Sequence, residues 1–280
     1  MIGGRIASSF EWHASHTAPY QATSPREARL TLVRLYPSVE FYDGLTGDEQ
    51  SWVIAKDFGI CNGWRVNFAI DSRGNSFGET GSSADVSTDL DRQLLGKLRS
   101  LSDVIVTSGK TARTEKYRSS KHAPIAIFTT SGELDSVPAI QGTQYFTPLV
   151  LTPQSRLAEV EESLSDVDVR ILAYRVTDET SSWPNAIEDV IRHEGYQSPI
   201  LESGQETLRE FVASGVVSEI CLTISSSGTK GVSARDLTES NLERVFGKDD
   251  HFTLRSLFTD GRTTFSRWAL NGVAAPQLSA

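Results

Sequence analysis

Two short stretches of this sequence place phosphate-binding groups directly after an apolar strand. The first is Ser108-Gly109-Lys110-Thr111, which follows DVIVT, and the second is Glu202-Ser203-Gly204-Gln205, which follows PIL. A strand that runs into a helix or a turn leaves backbone N–H groups free, and a hydroxyl or an ammonium beside them suits a phosphate. Adjacent parallel strands bring their carboxyl ends to one edge of a sheet. Together the junctions predict a site for a long polyphosphate, with a dinucleotide as the obvious candidate.

The first junction lacks the sequence of a P-loop. A P-loop has a glycine five positions before its Gly-Lys pair, and that position is Val104, inside the apolar strand. No GxGxxG fingerprint follows an early strand, which removes an ordinary Rossmann site. Each junction taken alone also has a plain structural explanation: Lys110 as an exposed lysine beside a helix cap, and Gly204 as part of a strand–helix turn.

The rest of the chain offers no constellation typical of acid–base, nucleophilic or metal catalysis. No GxSxG elbow is present, and Glu161 and Glu162 are predicted to be solvated on a helix face. Cys61 and Cys221 stand beside apolar residues and are predicted to be buried, inert thiols. This pattern fits hydride transfer, in which a cofactor carries the chemistry and the protein positions it. The histidines without metal-ligand spacing are His13, His16, His122, His193 and His251.

Length and charge narrow the class of protein. A chain of 280 residues can hold one large domain with a substantial core. Its formal charge of −9 at pH 7 argues against a nucleic-acid partner, because the overall field would repel phosphate backbones. No apolar run approaches the ~20 residues that span a bilayer, and the N-terminus lacks the long apolar core of a signal peptide. We therefore expect a cytoplasmic protein with no membrane partner.

The elements that must position the two junctions alternate between strand and helix. WRVNFAID, residues 64–71, alternates apolar and polar residues as a strand does. Leucines at helical spacing predict a helix from Asp89 to Ser100 with Thr88 as its N-cap, and Asp260-Gly261 predicts a hairpin. This order predicts an α/β fold with a mostly parallel central sheet, helices on both faces and a C-terminal antiparallel hairpin as its edge.

Three further predictions concern less regular stretches. LTLVRLYP is predicted to be the first strand, and WVIAKDFG, residues 52–59, a second extended segment. The Gly- and Ser-rich stretch 72–88 is predicted to be a loop, and its composition favours a functional loop and a plain surface connection about equally. A single domain over residues 29–270 follows, with an irregular arm at 1–28 and a flexible tail at 271–280.

Three blocks, taken in order, resemble the reductase (C-terminal) domain of bacterial riboflavin-biosynthesis deaminase–reductases, the pyrimidine reductases, whose fold is similar to dihydrofolate reductase. The blocks are WRVNFAIDSRGNSFGE, STDLDRQLLGKLRSLSDVIVTSGKTARTEKY and ILESGQETLREFVASGVVSEICLTIS. The resemblance implies an NADPH-dependent reductase that forms a homodimer and reduces a ribosylamino-pyrimidine or a similar small heterocycle by direct hydride transfer. The deaminase half is absent, because no HxE and PCxxC pair occurs.

The same resemblance assigns the site residues. It implies that the two turns hold the cofactor phosphates, through Ser108, Gly109, Lys110, Thr111, Glu202, Ser203, Gly204 and Gln205. The substrate side that it implies consists of Asn67, Asp71, Arg73, Gly74, Thr88 and Arg92. Arg92 would meet a phosphorylated ribityl or ribosyl pyrimidine. The other explanation of Arg92 is a surface helical arginine that pairs with nearby aspartates.

Four positions depart from the family's pattern. Arg73 replaces the aspartate of an Asp-Gly pair, and Asp71 replaces a serine two places earlier. Ser203 replaces the first glycine of Glu-Gly-Gly, and Lys110 stands where a small residue is usual. Lys110 is predicted to contact the 2′-phosphate of NADPH. The departures also support a second hypothesis: a degenerate paralogue that binds a nucleotide or a protein partner without catalysis.

Overall fold

Eleven strands in the described part of the chain form a single mixed sheet. The computed structural model describes residues 31–142, 145–176, 182–225, 233–247 and 252–270, so the predicted arm at 1–28 and tail at 271–280 lie outside the described residues. The strands are β1 (Leu32–Tyr36), β2 (Glu40–Tyr42), β3 (Trp64–Asp71), β4 (Val104–Ser108), β5 (Ile125–Phe128), β6 (Leu149–Pro153), β7 (Arg170–Tyr174), β8 (Pro199–Leu201), β9 (Val217–Ser225), β10 (Phe252–Thr259) and β11 (Thr263–Leu270). The helices in these ranges are α1 (Gly47–Phe58), α2 (Asp89–Ser100), α3 (Gly109–Thr114), α4 (Pro138–Gln141), α5 (Leu157–Ser163), α6 (Trp183–His193), α7 (Gln205–Ala213) and α8 (Ala234–Phe246).

The sheet has a parallel part and an antiparallel part. Its strand order is β2-β1-β10-β11-β9-β3-β8-β4-β5-β6-β7. Neighbouring strands from β9 to β7 are parallel, and those from β2 to β9 are antiparallel. The predicted mostly parallel sheet with a C-terminal hairpin is confirmed. The hairpin is not the edge of the sheet, however, because β1 pairs with β10 and β2 pairs with β1 beyond it.

Helices cover both faces of the sheet, as predicted. Helices α6, α7 and α8 pack on one face, around a core that includes Trp64 and Phe211. Helices α1, α2, α4 and α5 pack on the other face, where Leu94 of the predicted leucine stripe belongs to the same cluster as Ile105 and Ile200 of the sheet. No helix in the described ranges is long and apolar enough to cross a membrane.

Residues 52–59, which were predicted to be extended, belong to helix α1. The helix begins upstream of this stretch with a capping box: the Thr46 hydroxyl accepts from the Glu49 N–H (3.3 Å), and the Glu49 carboxylate accepts from the Thr46 N–H (2.7 Å). Its buried residues include Ile54 and Phe58, four positions apart as on one helix face. The prediction was wrong because the window WVIAKDFG omits the cap and the first residues of the helix, and the apolar residues that remain fit an extended segment as well.

Helix α8 and strand β2 have no counterpart among the predicted elements. The Ser233 hydroxyl caps α8 by accepting from the Asp236 N–H (3.1 Å), and Leu237, Leu242 and Val245 are its buried apolar residues. This narrow apolar stripe in a polar stretch gave a weak periodic signal. Strand β2 has three residues, too few for alternation to be read.

Candidate cofactor and substrate site

The two predicted junctions meet at the carboxyl edge of the sheet, where β4 and β8 are parallel neighbours. Three hydroxyls from the two turns form a ring. Ser108 Oγ donates to Thr111 Oγ1 (2.9 Å), and Ser203 Oγ donates to Ser108 Oγ (3.1 Å). The ring closes between Thr111 Oγ1 and Ser203 Oγ, which are 3.3 Å apart. The structure thus brings side chains of both turns into direct contact.

This hydroxyl ring (Ser108, Thr111 and Ser203) satisfies its own hydrogen bonds and can redirect them. Each hydroxyl has one donor and two acceptor positions, so three of them can close a ring by donating in sequence. A hydroxyl hydrogen rotates to suit its partner, so the same three groups can donate to an anion placed against them. The Thr111 N–H donates to Ser108 Oγ (3.1 Å), which holds the ring on α3. The ring therefore offers three neutral donors for phosphate oxygens.

The start of helix α7 is open beside the second junction. Gly204 is its N-cap and makes no side-chain cap, so it leaves the first-turn N–H groups without a side-chain acceptor from that position. A Cβ added to Gly204 would meet no described heavy atom within 4 Å. Gln205 directs its amide to the Val245 carbonyl of α8 (3.5 Å). The N–H groups and the space beside Gly204 suit phosphate oxygens.

Gly109 and Lys110 begin helix α3 and differ in their surroundings. Gly109 is buried, and a Cβ there would lie 3.3 Å from Thr129 Cβ, which explains the glycine by close packing against the end of β5. Lys110 is exposed, and none of the described residues pairs with its ammonium. It therefore supplies a local cation in a chain whose net charge is −9.

Glu202 is buried, with 5% of its surface exposed. Arg99 Nε and Nη2 donate to its two carboxylate oxygens at 2.8 and 2.6 Å, and the Tyr117 hydroxyl donates to Oε2 at 2.6 Å. Burial, followed by the charge of Glu202, raises the pKa of Tyr117 well above its usual value, so the hydroxyl remains a donor. Both carboxylate oxygens of Glu202 are thus engaged by side chains inside the protein.

Sequence reasoning did not single out Arg99 or Tyr117. Arg99 lies in the last turn of α2, where a basic residue is ordinary because it complements the helix dipole. Its partner Glu202 follows 103 residues later, and no local pattern connects the two. Tyr117 is the last residue of the second quoted block, but only the fold brings it to Glu202.

On the substrate side, strand β3 leaves part of one face open. It lies in the centre of the sheet between β9 and β8. Val66 and Phe68 on one face are buried, whereas Asn67, Ala69 and Asp71 on the other are only half-buried. Solvent therefore reaches this face of a central strand. The predicted residue Asn67 lies on this face.

Asp71, Arg73 and Gly74 form the turn that follows β3. The Asp71 carboxylate accepts from the N–H groups of Arg73 (2.8 Å) and Asn75 (2.9 Å). Burial would raise the pKa of Asp71, but hydrogen bonds from Asn75 and Arg73 outweigh it and hold the pKa below its usual value. Gly74 has a φ of +89°, and a Cβ there would lie 2.8 Å from Arg244 Cδ. The turn itself thus uses Asp71 and Gly74, while the Arg73 side chain stays exposed.

Thr88 and Arg92 lie at the start of α2. Thr88 is the N-cap, as predicted, and its hydroxyl accepts from the Asp91 N–H (3.3 Å). Arg92 Nη1 donates to the Ser87 carbonyl (2.7 Å), and the guanidinium pairs with Asp89. This is the arrangement of a surface arginine paired with a nearby aspartate. The pair is solvent-exposed and therefore weak, so it leaves Arg92 able to exchange Asp89 for another anion.

Asp91 is a buried acid that the sequence analysis did not single out. It is 4% exposed, and its Oδ2 accepts from Ser87 Oγ (2.6 Å). It also bonds to Thr223 of β9, which lies opposite Ala69 of the open face. Burial raises the pKa of its carboxyl, which therefore keeps a proton to higher pH than an ordinary aspartate. A signal was present, because Asp91 stands three residues before Leu94 and so shares the buried face of α2.

The long loop after β3 is tied to the segment that carries the first junction. Glu115, the C-cap of α3, accepts from Ser82 Oγ (2.8 Å) and from the Ser83 N–H (2.9 Å). Farther along the loop, Asp85 accepts from the Thr80 N–H (2.9 Å). The loop predicted over residues 72–88 therefore contacts the C-terminal end of α3, the helix whose start carries the hydroxyl ring.

Comparisons with solved structures agree with this architecture. A pyrimidine reductase-like protein from Corynebacterium diphtheriae gives a TM-score of 0.56 at 17% identity, over 81% of this chain and 99% of that one. RibD from Acinetobacter baumannii gives 0.55 at 14% identity, over 79% of this chain and 61% of that one. A deaminase/reductase from Thermotoga maritima gives 0.50 at 13% identity, over 74% and 56%. At these identities the similarity concerns the fold. No curated protein matches the chain significantly by sequence.

Membership of a family rests on the sequence itself. The RibD C-terminal domain matches residues 66–254, which is more than half of the chain. The match begins within β3, includes both junctions and ends within β10. The resemblance drawn from the three blocks is thus confirmed, and this chain belongs to the RibD C-terminal domain family.

Proposed function

We propose that this chain is an NADPH-dependent reductase of the pyrimidine-reductase type. It would act by direct hydride transfer on a ribosylamino-pyrimidine or a similar small heterocycle. The observation that carries the proposal is the contact between the two junctions through the hydroxyl ring, with the open start of α7 and the cation of Lys110 beside the same turns. Family membership supports the reductase class. A cytoplasmic homodimer is part of the proposal, and light scattering checks the dimer.

The donors at the two turns fit the phosphates of a dinucleotide. The hydroxyl ring would donate to one phosphate, and the first N–H groups of α7 would donate to the next. Glu202 adds little repulsion there, because Arg99 neutralises its charge. Lys110 would pair with the 2′-phosphate that distinguishes NADPH from NADH. When bound, NADPH supplies the hydride.

The substrate side offers groups for orientation and for proton supply. Reduction of a C=N or C=O bond takes up one proton with each hydride. Asp91 can hold such a proton, because burial raises its pKa, and it lies beside the open face of β3. Asn67 presents both a donor and an acceptor on that face. Arg92 can exchange its exposed partner Asp89 for a substrate phosphate.

A cofactor titration tests the proposed class first. NADPH fluorescence, followed during titration with the full-length chain, should show saturable binding at sub-millimolar concentration. Consumption of NADPH, measured by absorbance, should then occur with at least one member of a panel of pyrimidine and pterin substrates. Absence of binding would contradict the reductase proposal. Binding without turnover across the panel would favour a degenerate paralogue.

Replacement of Lys110 tests the 2′-phosphate contact. Lys110→Ala should weaken NADPH binding about tenfold or more, since a charged hydrogen bond is lost, and change NADH binding little. Lys116→Ala is the matched control, because it removes another exposed lysine six residues along the same segment. Equal losses for NADPH and NADH in Lys110→Ala would refute the assigned contact.

A further inference from the structure

We propose that Glu202 is a positioning residue. Its carboxylate, held by Arg99 and Tyr117, fixes helix α3 against strand β8 and thereby sets the distance between the two junctions. The inference deepens the proposed function, on which its cofactor readout rests. It gives Glu202 a role other than contact with a phosphate, and it makes Arg99 and Tyr117 act on the site without touching a ligand.

The three side chains form a closed cluster. Arg99 binds the carboxylate as a fork, with Nε on Oε1 (2.8 Å) and Nη2 on Oε2 (2.6 Å). The Tyr117 hydroxyl adds a third short bond (2.6 Å), and the Arg99 guanidinium lies 5.4 Å from the centroid of the Tyr117 ring. Hydrogen bonds to a charged group at low exposure are among the stronger ones in proteins. The cluster therefore ties α2, the chain after α3 and the end of β8 together firmly.

Two consecutive residues of the second junction hold both ends of α3. Ser203 contacts Ser108 and Thr111 at the start of the helix. Glu202 contacts Tyr117, three residues beyond its last residue. One turn thus determines where α3 begins and where it ends. A displacement of either contact would move the hydroxyls and Lys110 relative to α7.

Helix α3 needs such anchors because it is short. It has six residues, whereas isolated helices below about 12 residues are marginal in water. It ends in a Schellman motif, in which the Tyr117 N–H donates to the Ala112 carbonyl (3.0 Å) and Lys116 takes a left-handed φ of +48°. This motif returns Tyr117 to the buried carboxylate of Glu202. The position of α3 is therefore set by tertiary contacts rather than by the helix itself.

Loosening the cluster would leave every proposed ligand group in the chain but would no longer hold these groups in place. Binding would then include the cost of ordering α3, so cofactor affinity falls. Where the Arg99–Glu202 pair is kept and only the Tyr117 bond is lost, α2 stays tied to β8, so the substrate-side groups on β3 and at the start of α2 stay in position. A loss of cofactor affinity that exceeds the loss of kcat is therefore the expected signature.

Tyr117→Phe is the main variant, because it removes one hydrogen bond and leaves no charge without a partner. Its NADPH affinity should fall about tenfold, with kcat changed less than KM for NADPH. Glu202→Gln should do the same if it folds. Glu219→Gln is the control, since it disrupts another arginine–glutamate pair, that of the buried Arg65 with Glu219, away from both junctions. NADPH affinity in this control should stay within about twofold of the parent.

Hydrogen exchange in the protein without ligand gives a second readout that needs no cofactor. Amides of residues 109–114 should exchange faster in Tyr117→Phe and at the parent rate in Glu219→Gln. If the parent chain binds no NADPH, the proposed function fails, and this exchange measurement alone decides the positioning role. Unchanged exchange over 109–114 in Tyr117→Phe would overturn the inference. So would an NADPH affinity no lower than that of the control.

Discussion

Two arginine–glutamate pairs, each with one buried partner, lie at opposite ends of the central strands and differ in what surrounds them. Arg65–Glu219 joins β3 to β9 near their amino ends, whereas Arg99–Glu202 joins α2 to the carboxyl end of β8. Each arginine donates from Nε and Nη2 to its glutamate. Only the second pair adjoins the two open junctions. The same chemistry thus supports the fold at one end and, as we propose, the geometry of the site at the other.

The pair at the amino ends has further partners in the sheet and in helix α1. Arg65 is 1% exposed, and its Nη2 also donates to the carbonyls of Phe58 (3.2 Å) and Gly59 (2.8 Å) at the end of α1. Arg267 Nη1 donates to the other oxygen of Glu219 (2.9 Å). The last carbonyls of a helix have no partner within it, so Arg65 also caps α1. Every contact of this network serves packing of the sheet and α1.

The two cysteines lie beside this amino-end network and are buried, as predicted. Burial raises the pKa of Cys221 to about 12 and also raises the pKa of Cys61. The thiolate is the reactive form of cysteine, so neither group is a nucleophile at neutral pH. Their environment agrees with a structural role for the whole network.

The largest expected effect on the free energy of unfolding is at Glu219. Glu219→Gln should lower the free energy of unfolding by about 3 kcal/mol, because it leaves the Arg65 charge buried without a carboxylate. Tyr117→Phe should cost about 1–2 kcal/mol, since it leaves no charge unpaired. Urea denaturation of both variants measures the difference. If Tyr117→Phe lowered the free energy of unfolding more than Glu219→Gln does, the larger contribution to stability would belong to the Arg99–Glu202 network, contrary to this prediction.

Asp91 is a buried acid of a different kind from Glu202 and Glu219. Its hydrogen bonds come from the hydroxyls of Ser87 and Thr223 and not from an arginine. Burial raises its pKa, so the folded chain binds this proton more tightly than the unfolded chain does. Its contribution to stability is therefore full below the ordinary aspartate range and declines as pH rises through the raised pKa. Asp91→Asn should gain stability relative to the parent as pH increases from about 4 to 7. Urea denaturation across that range checks this, and a difference independent of pH would contradict it.

The smallest predicted effect concerns the turn that returns Tyr117 to Glu202. Lys116 has a φ of +48° at the C′ position of α3, where glycine is the favoured residue. Lys116→Gly should therefore stabilise the chain by about 0.5–1 kcal/mol, as relief of strain exceeds the entropy that glycine adds to the unfolded chain. Lys116→Ala removes the same charge without relieving the backbone and should show no gain. Thermal unfolding of both variants distinguishes the effect of the backbone conformation from the effect of the lost charge.

Much of the fold could be predicted because its signals are local. Alternation in WRVNFAID corresponds to β3, and the leucine spacing corresponds to α2. The Asp260-Gly261 turn joins β10 to β11. The meeting of the two junctions followed from a general property of parallel sheets. Helix α1 was not predicted because its start depends on a capping box at Thr46, upstream of the apolar residues 52–59.

The role of Glu202 could not be predicted from sequence, because its partners are distant. The sequence near Glu202 is an ordinary strand–helix turn, and the carboxylate's burial depends on Arg99 and Tyr117, each at least 85 residues away along the chain. Asp71 is a similar case, since its carboxylate serves the turn to Asn75. A residue that matches a family motif is a candidate for ligand contact. Only the fold shows whether other groups of the protein already bind its side chain.

The hydroxyl ring has a kinetic consequence. Its three members are hydrogen-bonded to one another, so none of these hydroxyls is unsatisfied and none drives the turn to rearrange. To accept an anion, Ser108, Thr111 and Ser203 need only rotate about their C–O bonds, a motion of picoseconds to nanoseconds. Capture of a phosphate at this point would therefore proceed as a single rapid encounter, with its rate set by diffusion and orientation rather than by refolding of the loop.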